Sequence, residues 1–387
     1  MTDDRPLRVR ATNSWWPLDF DLVSSEQQVV TWFRHHLHTA ATPARDLGPR
    51  LARTLAAVVD EELTDRLADV VRHCGPRGVE GHVGEFWSVG PTWRGDTWCY
   101  RHPPGARRRR HVIVAEGQDR WSVVGVDPGE VATAAVRLGR EMIRTELARR
   151  GAFTVHASFA VAPDLAGVMF VGATGGGKTT MALALARSGG YLVSGDQSEV
   201  LPTPDGPPLG VGFPWVSRIG VGTLTGLGLD GLVESAALLR PQPSIVDGRI
   251  TDRARAFGSP DKVELTGLEL DAVLGVRGLD GAPVDALVVL TPAAPGEPLR
   301  VVPTDLADVR EDLRREYREP DPAHAGFWLA PPDRQPPHAR DFGDFLEALD
   351  GVPVFRLRWS PQRHRAQEAV AALRATLPAA RSAPVVR

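Results

Sequence analysis

The stretch GATGGGKTT, Gly172 to Thr180, follows directly on the apolar run AGVMFV. Gly172, four residues, then Gly177-Lys178-Thr179 fits G-x-x-x-x-G-K-[ST] in full. A chain that wraps a triphosphate must turn its backbone N–H groups inward, and glycine permits the dihedral angles this needs. Gly172, Ala173, Thr174, Gly175, Gly176 and Gly177 would form the cradle. Lys178 would reach the β- and γ-phosphates, and the Thr179 hydroxyl would ligate Mg²⁺, with Thr180 beside it. GVMFVG reads as a buried strand and KTTMALALARSGG as a helix stopped by Gly189-Gly190. The helix N-terminus favours an anion. Strand, loop and helix in this order predict an α/β domain that binds a phosphoryl donor with Mg²⁺; the loop reads phosphates rather than the base, so ATP, GTP and pyrophosphate are not distinguished by it.

Composition adds a second pointer. Of the 45 lysines and arginines only Lys178 and Lys262 are lysines. Such a bias makes each lysine informative. The loop explains Lys178. Lys262, in GSPDKVELT, is either a chance surface residue or a compact ammonium that a planar guanidinium does not freely replace.

A length of 387 residues suits two domains, and a net charge of −3 argues against a general nucleic-acid binder. Cys74 and Cys99 form neither a metal spacing nor a disulfide framework, which fits a reducing cytoplasm. No apolar segment resembles a signal peptide, and none approaches the ~20 residues of a membrane helix. No membrane partner is expected, and a homo-oligomer is left open.

Residues 1–150 read as an α+β domain that would shape an acceptor pocket. SEQQVVTWFRHHLH reads as a helix, with Ser25 a candidate cap. RDLGPRLARTLAAVVDEELTDRLADVVRH reads as helical from Gly48-Pro49 onward. HVGEFWSVG, DTWCYRH, HVIVAEG and RWSVVGVD read as strands, and PGEVATAAVRLGREMIRTELARRG as a long helix. His35, His36 and His38 lack a carboxylate at metal-site spacing. Arg107–Arg110 reads as a solvated loop or a grip for an acidic substrate. Trp15, Trp16, Trp87, Trp93, Trp98 and Trp121 read as packing or an aromatic pocket. The proline-rich APPDRQPPHARD, 330–341, reads as a loop or lid.

In the second half, TVHASFAVAP precedes the loop strand and GGYLVSGDQSEVL follows the loop helix. His156 is expected on the strand before the loop, and Asp196 at the end of the strand after the helix. In an α/β sheet both ends lie beside bound phosphates. Asp196 would help hold Mg²⁺ or accept the proton of an attacking hydroxyl, with Glu199 assisting. Arg218 and Lys262 are candidates for the remaining positive charge.

Over about 153–200 these residues resemble the catalytic domain of the HPr kinase/phosphorylase family, related in fold to phosphoenolpyruvate carboxykinase. His156 matches the family's histidine, Gly172 to Thr179 its loop, and Asp196 the second aspartate of its Asp-Asp pair. The first aspartate is Gly195 here, which can neither ligate metal nor take a proton, and no segment matches the part that docks the HPr protein. The resemblance thins over FPWVSRIGVGTL and PDKVELTGLELDAVLGVRG, returns weakly at VPVFRLRW, and does not reach the first 150 residues. It implies a P-loop-containing mixed sheet of the HPr kinase/phosphoenolpyruvate carboxykinase type over 151–387. The implied activity is that of a kinase moving the γ-phosphoryl group of ATP to a hydroxyl of a small molecule or peptide. An NTP hydrolase and a nucleotide-gated binding protein are the alternatives.

Overall fold

The computed structural model describes residues 7–11, 18–37, 51–74, 77–80, 86–101, 111–117, 119–163, 166–204, 206–213, 216–255, 259–294, 296–318, 340–360 and 364–377. Arg107–Arg110, His38, Trp15, Trp16 and most of the 330–341 segment lie outside them. The chain divides into two compact units. One takes Met1–Arg34, Asp46–Arg149 and Pro320–His338; the other takes His35–Arg45, Arg150–Glu319 and Ala339–Arg387.

The described part of residues 1–149 contains strands β1 (Leu7–Ala11) and β2 (Leu18–Ser24), helix α1 (Gln27–His36), β3 (Leu51–Val59), helix α2 (Glu61–His73), β4 (Arg77–Glu80), β5 (Phe86–Thr92), β6 (Gly95–Arg101), β7 (His111–Glu116), β8 (Arg120–Gly125) and helix α3 (Pro128–Arg149). The strands form one sheet in the order β1-β2-β3-β8-β7-β6-β5-β4. β3 is parallel to both of its neighbours; the other pairs are antiparallel. Leu67 and Val71 of α2 are fully buried in a cluster with Val112, Val114 and Val124. Trp121 is buried and Trp93 is exposed beneath the Arg66 guanidinium.

One expectation fails here. The segment read as a single helix from Gly48-Pro49 is a strand and then a helix. LARTLAAVV has strong helix formers, but pairing with β2 and β8 buries Leu55 and Ala57, and tertiary context overrides propensity. Asp60, in extended conformation, ends the strand and caps α2 by accepting the Leu63 N–H at 2.8 Å.

The second unit continues with β9 (Phe153–Val155), β10 (Ser158–Val161), β11 (Gly167–Val171), α4 (Lys178–Arg187), β12 (Tyr191–Ser194), β13 (Ser198–Leu201), β14 (Leu209–Val211), β15 (Val216–Gly220), α5 (Val221–Leu227), α6 (Asp230–Ser235), β16 (Ile245–Val246), β17 (Arg249–Ile250), α7 (Asp252–Arg255), β18 (Lys262–Thr266), α8 (Gly267–Leu274), β19 (Gly281–Pro283), β20 (Ala286–Pro292), β21 (Arg300–Thr304), α9 (Arg310–Glu316), β22 (Tyr317–Arg318), α10 (Phe342–Ala348), β23 (Val354–Trp359) and α11 (Ala366–Thr376). Among the described residues a six-stranded sheet runs β12-β10-β11-β20-β23-β21 and a five-stranded sheet runs β19-β14-β13-β9-β22. β11, β20 and β23 are parallel, while β10, β12 and β21 run antiparallel to their neighbours. The fold is thus mixed α/β with several sheets. Every residue of β11 is buried, as expected of a strand covered on both faces.

Two short breaks carry the chain between these sheets. His156 and Ala157 link β9, in the five-stranded sheet, to β10, in the six-stranded one. Gly195 to Gln197 make the reverse passage from β12 to β13. The breaks are stitched together: the Ser158 hydroxyl donates to the Gly195 carbonyl at 2.7 Å, and the Ser198 hydroxyl to the Ala157 carbonyl at 3.2 Å. His156 is therefore not on the strand before the loop. It lies in a break one strand earlier, and β11 feeds the loop.

Candidate active site at the seam of two sheets

The glycine loop leaves β11 and opens α4. Gly172 has φ 149°, and a β-carbon there would stand 2.8 Å from the Leu290 carbonyl oxygen of β20. Gly177 has φ 97°, and a β-carbon there would stand 2.1 Å from the Trp359 ring. Both positions exclude a side chain by conformation and by space. Trp359, at the end of β23, also donates its indole N–H to the Gly176 carbonyl at 2.9 Å. That bond fixes the peptide orientation in the middle of the loop. Gly177 caps α4 without a side-chain hydrogen bond, so the first N–H groups of the helix keep the donor character that suits an anion.

Lys178 does not extend into solvent. Its ammonium is buried, donates to the Gly172 carbonyl at 2.5 Å and lies 3.5 Å from Glu316 Oε2. Burial pulls its pKa below the ordinary lysine value, and the Glu316 charge opposes that shift. The same Glu316 Oε2 lies 2.6 Å from His156 Nδ1. The far side of the ring, Nε2, lies 3.2 Å from Asp196 Oδ1. Four side chains from four segments thus form one line: Asp196, His156, Glu316, Lys178.

Asp196 is the open end of that line, with 81% of its side chain exposed. Its pKa is lowered, first by the hydrogen bond from His156, then by the charges of His156, Lys262 and Lys178; desolvation opposes them. A carboxylate held below its ordinary value stays ionised and is a weak proton acceptor. It suits holding a cation or orienting a hydroxyl better than early proton abstraction.

The Thr179 hydroxyl donates to the Gly195 carbonyl at 2.7 Å, which leaves its lone pairs for a cation. Asp196 follows directly on Gly195, whose carbonyl that hydroxyl meets, so Thr179 and Asp196 are the groups that a divalent ion beside the loop would use. Glu199 fits less well. It is buried on β13 and accepts the Thr154 hydroxyl of β9 at 2.7 Å, within the sheet. Among the described residues, no cluster of three His, Cys, Asp or Glu side chains has the arrangement to hold a metal. Thr180 pairs with Thr223 of α5 at 2.9 Å.

Lys262 opens β18, faces Gly220 of β15 in the register, and is exposed. Its charge acts on Asp196, although some eighty residues of sequence separate it from the loop. Arg218 is engaged differently. It opposes Glu264 across the same ribbon and pairs with it at 3.1 Å, with Arg240 on the other Glu264 oxygen.

Two residues escaped the sequence. Glu316 ends the charged helix REDLRRE, far from any motif, and nothing local marks it. Trp359 is one of ten tryptophans. Its place at the end of an apolar strand is a weak signal that only the sheet order makes useful.

Compared with protein-family models and with curated proteins, the chain finds no match. In the described residues, no helix is long and apolar enough to cross a membrane.

Proposed function

We propose that this protein is an ATP-dependent kinase that transfers the γ-phosphoryl group to a hydroxyl of a small molecule or peptide. The corresponding fold reading is a P-loop-containing mixed sheet of the HPr kinase/phosphoenolpyruvate carboxykinase type over residues 151–387. The observation that carries it is the convergence of Lys178, His156 and Asp196 beside a loop that only glycine can build at Gly172 and Gly177.

The chemistry follows from what each group can do. Loop N–H groups and the α4 N-terminus hold the phosphates, and Lys178 neutralises charge that develops between the β- and γ-phosphates. Mg²⁺, which Thr179 and Asp196 would hold, supplies further charge neutralisation on the phosphate oxygens. The acceptor oxygen forms a bond to the γ-phosphorus while the bond from that phosphorus to the β–γ bridging oxygen breaks, and ADP departs. Phosphoryl transfer is loose, so little charge builds on the attacking oxygen until late. A weak base is then sufficient: Asp196, steadied by His156, orients the hydroxyl and receives its proton after the new bond has formed. Lys262, whose charge acts on Asp196, adds positive charge to this part of the site.

The test is incubation with Mg²⁺ and γ-labelled ATP in the presence of metabolite and peptide pools, with products followed by mass spectrometry. A kinase gives ADP formation that depends on the acceptor and a product heavier by one phosphoryl group. Phosphate release at the same rate with and without acceptor would make the protein a hydrolase. Binding without turnover would make it a nucleotide-gated scaffold. Either result would sink the kinase assignment.

A further inference from the structure

Glu316 is the residue that no motif marks and that touches two members of the site. Its Oε2 alone meets both His156 Nδ1, at 2.6 Å, and Lys178 Nζ, at 3.5 Å. Its backbone carbonyl also accepts the His156 backbone N–H at 2.8 Å. Backbone and side chain of one residue thus grip backbone and side chain of the other. The imidazole can rotate neither about its own plane nor away from Asp196 without breaking the bond to Oε2.

A purely structural role does not account for this arrangement. Glu316, Lys178 and His156 are all largely removed from water. Burying a carboxylate and an ammonium together is roughly neutral for stability against apolar residues of similar size. β22 is held to β9 by its own backbone pairing, Tyr317 to Val155 and Arg318 to Thr154. Tyr317 packs its ring on Phe345 and Phe342, so the apolar anchor of this segment is separate from Glu316.

We propose that Glu316 is a positioning residue that couples the two halves of the site: its single oxygen fixes the His156 ring toward Asp196 and at the same time restrains Lys178 from the phosphate it must reach. This deepens the kinase reading and rests on it. When Lys178 turns its ammonium to a phosphate, it gives up part of its attraction to Glu316, and the negative charge of Glu316 also stands near the incoming phosphates. Both effects oppose nucleotide binding. In exchange, the carboxylate keeps the imidazole in the orientation used in the chemical step. Glu316 thus weakens nucleotide affinity and strengthens turnover, a pair of opposite effects that a residue serving only stability would not produce.

The groups facing His156 and Glu316 define what the test must leave alone: Asp196 from the β12–β13 passage, Lys178 from α4, with Lys262 acting on Asp196 and Arg318 on Lys178. Glu316→Gln removes the charge but keeps the size and an acceptor oxygen. Glu316→Asp keeps the charge but draws it back by one methylene. Calorimetry with Mg-ATP and single-turnover conversion of ATP to ADP, with water as acceptor, measure the two halves. Proton NMR of the imidazole N–H in the absence of nucleotide reports the grip on the ring directly.

We expect Glu316→Gln to bind Mg-ATP about three- to tenfold more tightly and to convert it at least tenfold more slowly, a loss of the order seen when one positioned catalytic group is disturbed. The hydrogen-bonded Nδ1 proton of wild type, far downfield, should move upfield by several parts per million. Glu316→Asp should fall between the two in turnover while holding wild-type affinity. Wild-type protein that binds no Mg-ATP would overturn the kinase reading and the coupling with it. Normal wild-type binding, with Glu316→Gln unchanged or weaker in affinity, would overturn the coupling alone.

Discussion

Glu316 and Glu264, both in the second unit, each gather two basic side chains, and they stand in opposite surroundings. Glu316 meets Lys178 and His156 with 9% of its side chain exposed. Glu264 meets Arg218 and Arg240 on the β15–β18 ribbon, with Arg218 65% exposed. Water screens the second group, so its ion pairs are worth about 0–1 kcal/mol each. The first is screened little, and breaking it by removing one partner costs about 3–5 kcal/mol. An ion pair by itself therefore says nothing about function. What separates the two is that one lies against a glycine loop and an exposed aspartate, while the other is a cross-strand pair on a surface.

The sharpest way to break this contrast is at Lys178. Lys178→Ala should lower ATP turnover by about a hundredfold to a thousandfold, the loss typical of removing one preorganised charge-stabilising donor. Circular dichroism should show the fold retained, because α4 stays anchored by buried Met181, Leu183 and Leu185. Turnover within a few fold of wild type would place the phosphates elsewhere. Asp196→Asn comes next. It should slow single turnover by about a hundredfold and leave the Mg-ATP dissociation constant within a few fold, since a group acting in the chemical step is felt mainly there. The pKa of Asp196 lies below its ordinary value of 3.8, so its contribution is present above that value and is lost only as pH falls through the lower folded one. An acid limb of the rate profile between about pH 5 and 7 that vanished in Asp196→Asn would contradict this ordering.

The sequence made legible what local chemistry encodes. Gly172 to Thr179 demands a strand before it and a helix after it, and β11 and α4 stand where GVMFVG and KTTMALALARSGG placed them. The long helix α3 likewise stands where PGEVATAAVRLGREMIRTELARRG reads as one. What stayed hidden depends on pairing across long separations. LARTLAAVV is a strand because β2 and β8 flank it, not because of its own propensity. His156 needed the knowledge that β9 and β10 belong to different sheets, since a continuous TVHASFAV reads as one strand. Glu316 and Lys178 are 138 residues apart, and the edge pairing of β22 with β9 helps bring them together. Arg218 shows only its charge in the sequence, and charge does not disclose the partner opposite it.

Lys262 sharpens the comparison at intermediate size. It sits on the same ribbon as Arg218, yet its charge acts on Asp196 and it forms no salt bridge among the described residues. Lys262→Ala should slow turnover about tenfold, roughly 1.4 kcal/mol of transition-state stabilisation. Lys262→Arg should recover part of that loss, because charge is kept while the compact approach is not. Wild-type rates in both variants would reduce Lys262 to a surface residue.

Arg218 should show the smallest effect, and that smallness is the informative outcome. Its guanidinium pairs with Glu264 at 3.1 Å on an exposed face, and Arg240 remains on Glu264 when Arg218 is gone. No carboxylate is left buried and unpaired, so the penalty that makes Glu316 sensitive does not arise. The backbone of β15 keeps its pairing to β18 through Ser217 and Ile219, whose buried side chains hold the ribbon down. Arg218→Ala should therefore shift unfolding by less than about 1 kcal/mol and change turnover by less than twofold at saturating ATP. The effect on stability should shrink further as salt is raised, because exposed charges are screened over about 8–10 Å near physiological ionic strength. A fall in turnover of tenfold or more, with stability unchanged, would show that Arg218 leaves Glu264 to meet the substrate. The β15–β18 ribbon would then be part of the acceptor site, and the two carboxylate groups would differ in timing rather than in kind.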